Sequence, residues 1–140
     1  AQAADTTDGT VVSGTYKRST NGGRRRGLKS RAGGAWERLS DGTYKYHFAE
    51  GLEATDYWLE IDGTWYYFGH DNIMQTGWVK DDGNWYYMDL KTGALFTGWH
   101  EISGKWYYFH EEGDGFKGTL MVNCETPDGY TVDVNGALVE

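Results

Sequence analysis

Three pairs of tryptophans stand seven residues apart, Trp58 with Trp65, Trp78 with Trp85 and Trp99 with Trp106, and the pairs recur at intervals of 20 and 21 residues. An indole face has two uses beyond packing: it attracts an ammonium group, for which Trp is the best side chain, and it offers a flat platform to a sugar ring. A core requires neither. Leu, Ile or Phe fill space as well, so Trp at two set places in successive units points to binding. Residues suited to other chemistry are not arranged for it. His47, His70, His100 and His110 are scattered without metal-ligand spacing, and Cys124 has no histidine partner nearby in the sequence. As the only cysteine, Cys124 excludes an internal disulfide and reads as a buried or half-buried thiol. Gly22-Gly23 and Gly33-Gly34 do not form a phosphate-binding loop, and most acidic residues sit in or beside turns, where solvation accounts for them. The expectation is a non-catalytic chain with no metal and no cofactor.

Short elements must position these rings. Asp62-Gly63, Asp82-Gly83 and Ser103-Gly104 lie between the two Trp of each pair, and Asp-Gly between β-prone runs signals a two-residue hairpin turn. Such a turn sets the register, and the register sets the faces. Lys80 then opposes Trp85, Val79 opposes Tyr86, and Trp78 opposes Tyr87. Trp78, Trp85 and Tyr87 share one face, with Val79, Tyr86 and Met88 on the other. By the same construction Trp58, Trp65 and Tyr67 oppose Leu59, Ile61, Tyr66 and Phe68, while Trp99, Trp106 and Tyr108 oppose Ile102, Tyr107 and Phe109. Glu60, Lys80 and Glu101 fall on the ring face as solvated cross-strand residues.

An isolated hairpin is only marginally stable, so units of this kind must stack. Met74 and Leu95 lie four residues before the following Trp, as Phe116 does before Leu120, and supply contacts between neighbours. The outer units are degenerate, as capping repeats often are. Ser13 to Lys17 resembles Asp41 to Lys45, a turn followed by an aromatic. Trp36 precedes Tyr44 by eight residues rather than seven, which calls for a bulge. At the other end Leu120 takes the place of the first Trp and Tyr130 that of the second. The implied fold class is all-β, an elongated solenoid of stacked β-hairpins.

Composition agrees: aromatics make up 16% of the chain and apolar residues only 39%, so burial rests on Trp and Tyr, residues that favour sheets. The net charge of −8 is uneven, since residues 1–31 carry about +5 and the remainder about −13. An acidic repeat region argues against nucleic acid and fits a cationic ligand. Residues 1–31 are therefore set apart as a basic N-terminal segment, flexible or a degenerate hairpin, from a repeat module over 32–140. No stretch has the apolar length of a membrane span. The opening Ala1-Gln2-Ala3 has the small-x-small form of a signal-peptidase site and points to export.

The run from Thr76-Gly77-Trp78 through Asn84-Trp85-Tyr86-Tyr87-Met88, and its relative from Thr97-Gly98-Trp99 through Lys105-Trp106-Tyr107-Tyr108-Phe109, resembles the choline-binding (cell-wall-binding) repeats of Gram-positive surface proteins and endolysins. The resemblance is strongest over residues 57–109, reaches back to Trp36 and forward to Glu140, and fades before residue 32. It implies a left-handed solenoid, secreted and attached to the cell wall, whose sites lie between consecutive units. There, two Trp of one hairpin and a Tyr of the next enclose the trimethylammonium of choline on teichoic or lipoteichoic acid, often with a Met nearby. By position, one cage takes Trp58, Trp65 and Tyr87 with Met74, and a second takes Trp78, Trp85 and Tyr108. A third begins with Trp99 and Trp106 but lacks a last wall, because Thr131-Val132 stand where a Tyr-Tyr pair belongs. The same superfamily holds glucan-binding repeats of glucosyltransferases and sugar-binding repeats of clostridial toxins, so a glucan or other glycan is the alternative ligand. A structural or adhesive spacer is the third reading. Trp65, Trp85 and Trp106 favour choline; Tyr44 and Tyr130 favour a glycan.

Overall fold

The computed structural model describes residues 11–19, 31–48, 57–61, 63–81, 83–111 and 117–140. Among them there is no helix; the strands are β1 (Val11–Ser19), β2 (Arg31–Arg38), β3 (Tyr44–His47), β4 (Tyr57–Ile61), β5 (Thr64–Phe68), β6 (Gly77–Asp81), β7 (Asn84–Met88), β8 (Gly98–Ile102), β9 (Lys105–Phe109), β10 (Cys124–Glu125) and β11 (Thr131–Val132). Strands β4–β5, β6–β7 and β8–β9 are the three expected hairpins, in the expected register, with Trp58, Trp78 and Trp99 opposite Tyr67, Tyr87 and Tyr108. In the third turn both Ser103 (φ 52°) and Gly104 (φ 84°) are left-handed, the geometry whose twist matches the flanking strands. Asp62 and Asp82 of the other two turns lie outside the described residues.

The N-terminal part departs from the expected pattern. Strand β1 pairs with β2 on one side and β4 on the other, giving a five-stranded sheet of order β3-β2-β1-β4-β5. Part of the basic segment thus belongs to the sheet of the repeat array. Ser13 to Lys17 is no turn but the middle of β1; Gly14 faces Gly34 and Thr15 faces Ala32, so Gly33 bulges out of β2. Arg24, Arg25, Arg26 and Lys29 lie outside the described residues. The extra residue between Trp36 and Tyr44 needs no bulge in the hairpin. Trp36 faces Tyr46 and Arg38 faces Tyr44, so the surplus is taken up in loop 39–43, where Asp41 accepts hydrogen bonds from the backbone N–H and the hydroxyl of Thr43.

Stacking joins opposite faces of neighbouring units. One core cluster holds Trp58 and Trp65 of one hairpin against Val79, Tyr86 and Met88 of the next; another holds Tyr87 with Ile102, Phe109 and Leu120. After each hairpin the chain returns to the preceding unit. The backbone N–H of Met74, Leu95, Leu120 and Leu138 donates to the carbonyl of Tyr44, Trp65, Trp85 and Trp106 respectively. The same four residues bridge back to the end of their own hairpin, at Phe68, Met88, Phe109 and Val132.

That ladder realigns the C-terminal end. Leu120 takes the place of Met74 and Leu95, not that of a first Trp, because the loop after Phe109 is longer; Phe116 lies outside the described residues. Val132 matches Phe109, so Tyr130 matches Tyr107, the first tyrosine of Trp-Tyr-Tyr, rather than Trp106. Cys124 is exposed rather than buried, as is its neighbour Glu125 in the two-residue strand β10.

Candidate ligand cages

At four successive junctions the first Trp of a unit meets the first Tyr of the next Trp-Tyr-Tyr or its equivalent. The ring centroids lie 5.0 Å apart for Trp36–Tyr66, 4.6 Å for Trp58–Tyr86, 5.1 Å for Trp78–Tyr107 and 5.8 Å for Trp99–Tyr130. The second Tyr has its Trp contact within its own hairpin. Tyr67, Tyr87 and Tyr108 pack on the Trp directly opposite in their own hairpin, at 4.8, 5.1 and 5.2 Å. Tyr87 and Tyr108 are therefore not the cross-unit walls assigned by position. The correction was readable from the faces. Tyr86 and Tyr107 sit opposite the ring face of their own unit, and that opposite face is the one a stacked hairpin must turn toward its neighbour.

The junctions differ in openness. Trp58 and Trp65 are 0% and 5% exposed, closed over by Val79, Tyr86, Met88 and Leu95. The buried indole N–H of Trp58 is satisfied by Asp81 Oδ2 at 2.8 Å. The structure does not gather Trp58, Trp65, Tyr87 and Met74 into a cage: Tyr87 lies in the following cluster, and Met74 in the preceding one with Tyr46, Leu59, Ile61 and Phe68.

At the next junction Trp78 and Trp85 remain 39% and 42% exposed. They stand edge to face at 6.1 Å and line a cavity of about 420 Å³ with Tyr107, Leu120, Val122, Val134 and Asn135. The Lys80 ammonium lies 5.8 Å from the Trp85 ring centroid, so this indole already faces a cation. At the last junction Trp99 and Trp106 line a cavity of about 410 Å³ with Asp128, Tyr130 and Leu138. The wall missing from the sequence reading is Tyr130, which stands at the first-tyrosine place of its unit rather than at that of a second Trp.

Each open cavity thus has two indoles from one hairpin, a tyrosine from the next and the leucine that closes the backbone ladder. Aromatic rings gathered around one cavity suit a soft, poorly hydrated cation. The last cavity also has a fixed charge. Asp128 Oδ1 accepts from the Thr126 hydroxyl at 2.5 Å and Oδ2 from the Trp99 indole N–H at 2.8 Å, and these bonds, the first foremost, hold the carboxyl below its ordinary range. Of the histidines, His47 pairs with Glu37 at 2.7 Å and His100 stacks on Phe96 at 3.8 Å. Among the described residues no group of three or more His, Cys, Asp or Glu could hold a metal, and no helix is long and apolar enough to cross a membrane.

Residues 54–97 and 96–127 match the choline-binding repeat. The chain is 33% identical to CbpF, solved in complex with ipratropium, over 82% of this chain and 34% of that one, with a TM-score of 0.65. A second structure of choline binding protein F, from Streptococcus pneumoniae in the presence of a peptidoglycan analogue, is 31% identical over 75% of this chain and 39% of its own, at a TM-score of 0.53. The choline binding domain of Spr1274 of Streptococcus pneumoniae is 38% identical over 59% of this chain and 93% of that domain, at 0.51. The chain spans about a third of the length of CbpF. No curated protein matches it.

Proposed function

Because the chain belongs to the choline-binding repeat family, we propose that it is a non-catalytic attachment module, holding choline groups of teichoic or lipoteichoic acid at the surface of a Gram-positive cell wall. The observation that carries this reading is the pair of open aromatic cavities, Trp78/Trp85/Tyr107 and Trp99/Trp106/Tyr130. Two indoles and a phenol ring can surround a trimethylammonium group, whose charge is spread over methyls and which surrenders little hydration on entry. The acidic balance of the repeats attracts such a ligand from solution. Trp58, Trp65 and Tyr86 have the same parts in a closed arrangement and count as structural. The repeat module is taken as residues 32–140, with β1 of the preceding segment docked along it.

Choline chloride titrated into the full chain, with Trp fluorescence as the readout, tests the proposal. Saturation at millimolar choline is expected, together with retention on a quaternary-amine resin and elution by free choline. A response to gluco-oligosaccharides without one to choline would replace this reading with a glucan-binding one. Silence toward both would leave a surface spacer.

A further inference from the structure

The two open cavities share their rings and a leucine but differ in everything else that lines them. Around the central cavity the remaining side chains are Val122, Val134 and the amide of Asn135, and the Lys80 ammonium lies 5.8 Å from the Trp85 ring. Around the terminal one the remaining group is the Asp128 carboxylate. We propose that the two cages take different classes of cation: the central cage is confined to quaternary ammonium, whereas Asp128 equips the terminal cage for ammonium groups that retain N–H, such as ethanolamine, as well as for choline. This inference rests on reading both cavities as cation cages.

The chemistry follows from what each wall can accept. A quaternary ammonium has no N–H, so apolar and aromatic walls leave nothing on it unpaired. A primary ammonium has three N–H groups, and each must find an acceptor or keep its water. The two valine side chains offer none, the Asn135 amide offers a neutral oxygen, and the Lys80 ammonium beside Trp85 adds a like charge rather than an acceptor. Asp128 is better suited: its two oxygens have about four acceptor sites, and the bonds from Thr126 and Trp99 use two of them. A charge-assisted N–H bond to the free sites is about twice as strong as a neutral one. The same two bonds fix the carboxylate at the rim, because Thr126 sits in the turn before β11 and Trp99 is itself a cage wall. The lowered pKa of Asp128 keeps that charge present at neutral pH, where a primary ammonium ligand is protonated.

The test is an indole ¹H–¹⁵N NMR titration of the full chain, with choline chloride and, separately, ethanolamine hydrochloride. Trp99 and Trp106 report the terminal cage, Trp78 and Trp85 the central one. In the wild type the ratio of ethanolamine to choline Kd is expected to be about fivefold lower at the terminal cage than at the central one. Asp128→Asn keeps the side-chain size and an acceptor for the Trp99 indole, and should raise the terminal ratio by about the same factor while leaving the central ratio unchanged. Equal ratios at the two wild-type cages, or a terminal ratio indifferent to Asp128→Asn, would overturn the inference and leave the cage reading intact. If choline moves neither Trp99 nor Trp106 in the wild type, the cage reading of that cavity fails and the inference goes with it.

Discussion

At the scale of single residues, the identity of the cross-unit ring matters most. Tyr107 lies 5.1 Å from Trp78 and lines the central cavity, while Tyr108 is spent on Trp99 in its own hairpin. A cation–π wall is worth about 1–2 kcal/mol when desolvated, so Tyr107→Ala should weaken choline binding at the central cage by about tenfold. Tyr108→Ala should weaken it little there. Shifts of the Trp78 indole during titration separate the two, and equal losses would refute the assignment. Carboxylates carry a second expectation. Asp41 is held below the ordinary value of 3.8 by the Thr43 hydroxyl, Asp89 by the backbone N–H groups of Thr92 and Lys91, and Asp128 by the Thr126 hydroxyl. A folded-state pKa below the unfolded one stabilises the fold fully above the unfolded value and is lost as pH falls through the folded one. Thermal unfolding followed by near-ultraviolet circular dichroism should therefore show no pH dependence from these groups between neutrality and about pH 5, where their stabilisation is fully present, and a progressive loss below pH 3.8.

At the scale of elements, the return segments bind the stack together as much as the hairpins do. Leu120 closes the ladder to Trp85, packs with Tyr87, Ile102 and Phe109, and lines the central cavity. Leu120→Ala should cost about 2–5 kcal/mol in urea unfolding, the range for a buried leucine, and should loosen choline at that cage as well. Three of the four ladder residues are backed by a glycine one unit on. Gly93 abuts Met74, Gly118 abuts Leu95 and Gly136 abuts Leu120, with no room for a methyl group. A Cβ on Gly118 would come within 2.6 Å of the Leu95 side chain at a φ of +86°, whereas one on Gly104 at +84° would meet nothing within 4 Å. Both Ala variants incur backbone strain of about 1 kcal/mol, and Gly118→Ala should lose a further 1–3 kcal/mol, about the cost of overpacking. Equal midpoints for the two variants would show that the contact does not matter.

At the scale of the whole molecule, the central cavity gathers Trp78 and Trp85 of one hairpin, Tyr107 of the next, and Val134 and Asn135 beyond β11, so a ligand there ties together units distant along the chain. Choline at 100 times its Kd should add about 2.7 kcal/mol per open cage to the unfolding free energy. Trp85→Ala, which removes a wall of the central cage alone, should halve the gain measured by denaturant unfolding with and without choline. An undiminished gain would mean that the central cavity is not occupied.

The hairpins, their register and the two faces of each unit were legible in the sequence, because a two-residue turn and the period of two of a strand leave no freedom in which side chains share a face. So was the chemistry, since paired indoles at a repeating place are hard to explain by packing. What the sequence could not specify was how consecutive units meet. Which tyrosine crosses the junction, where the longer loop shifts Leu120 and Tyr130, that β1 slots between β2 and β4, and which junctions close over their tryptophans depend on contacts between residues distant along the chain. Trp58 and Trp78 hold the same place in their units, yet one is buried and the other half open. Local pattern determines the face a ring lies on; only the packing of the next hairpin decides whether that face is core or site.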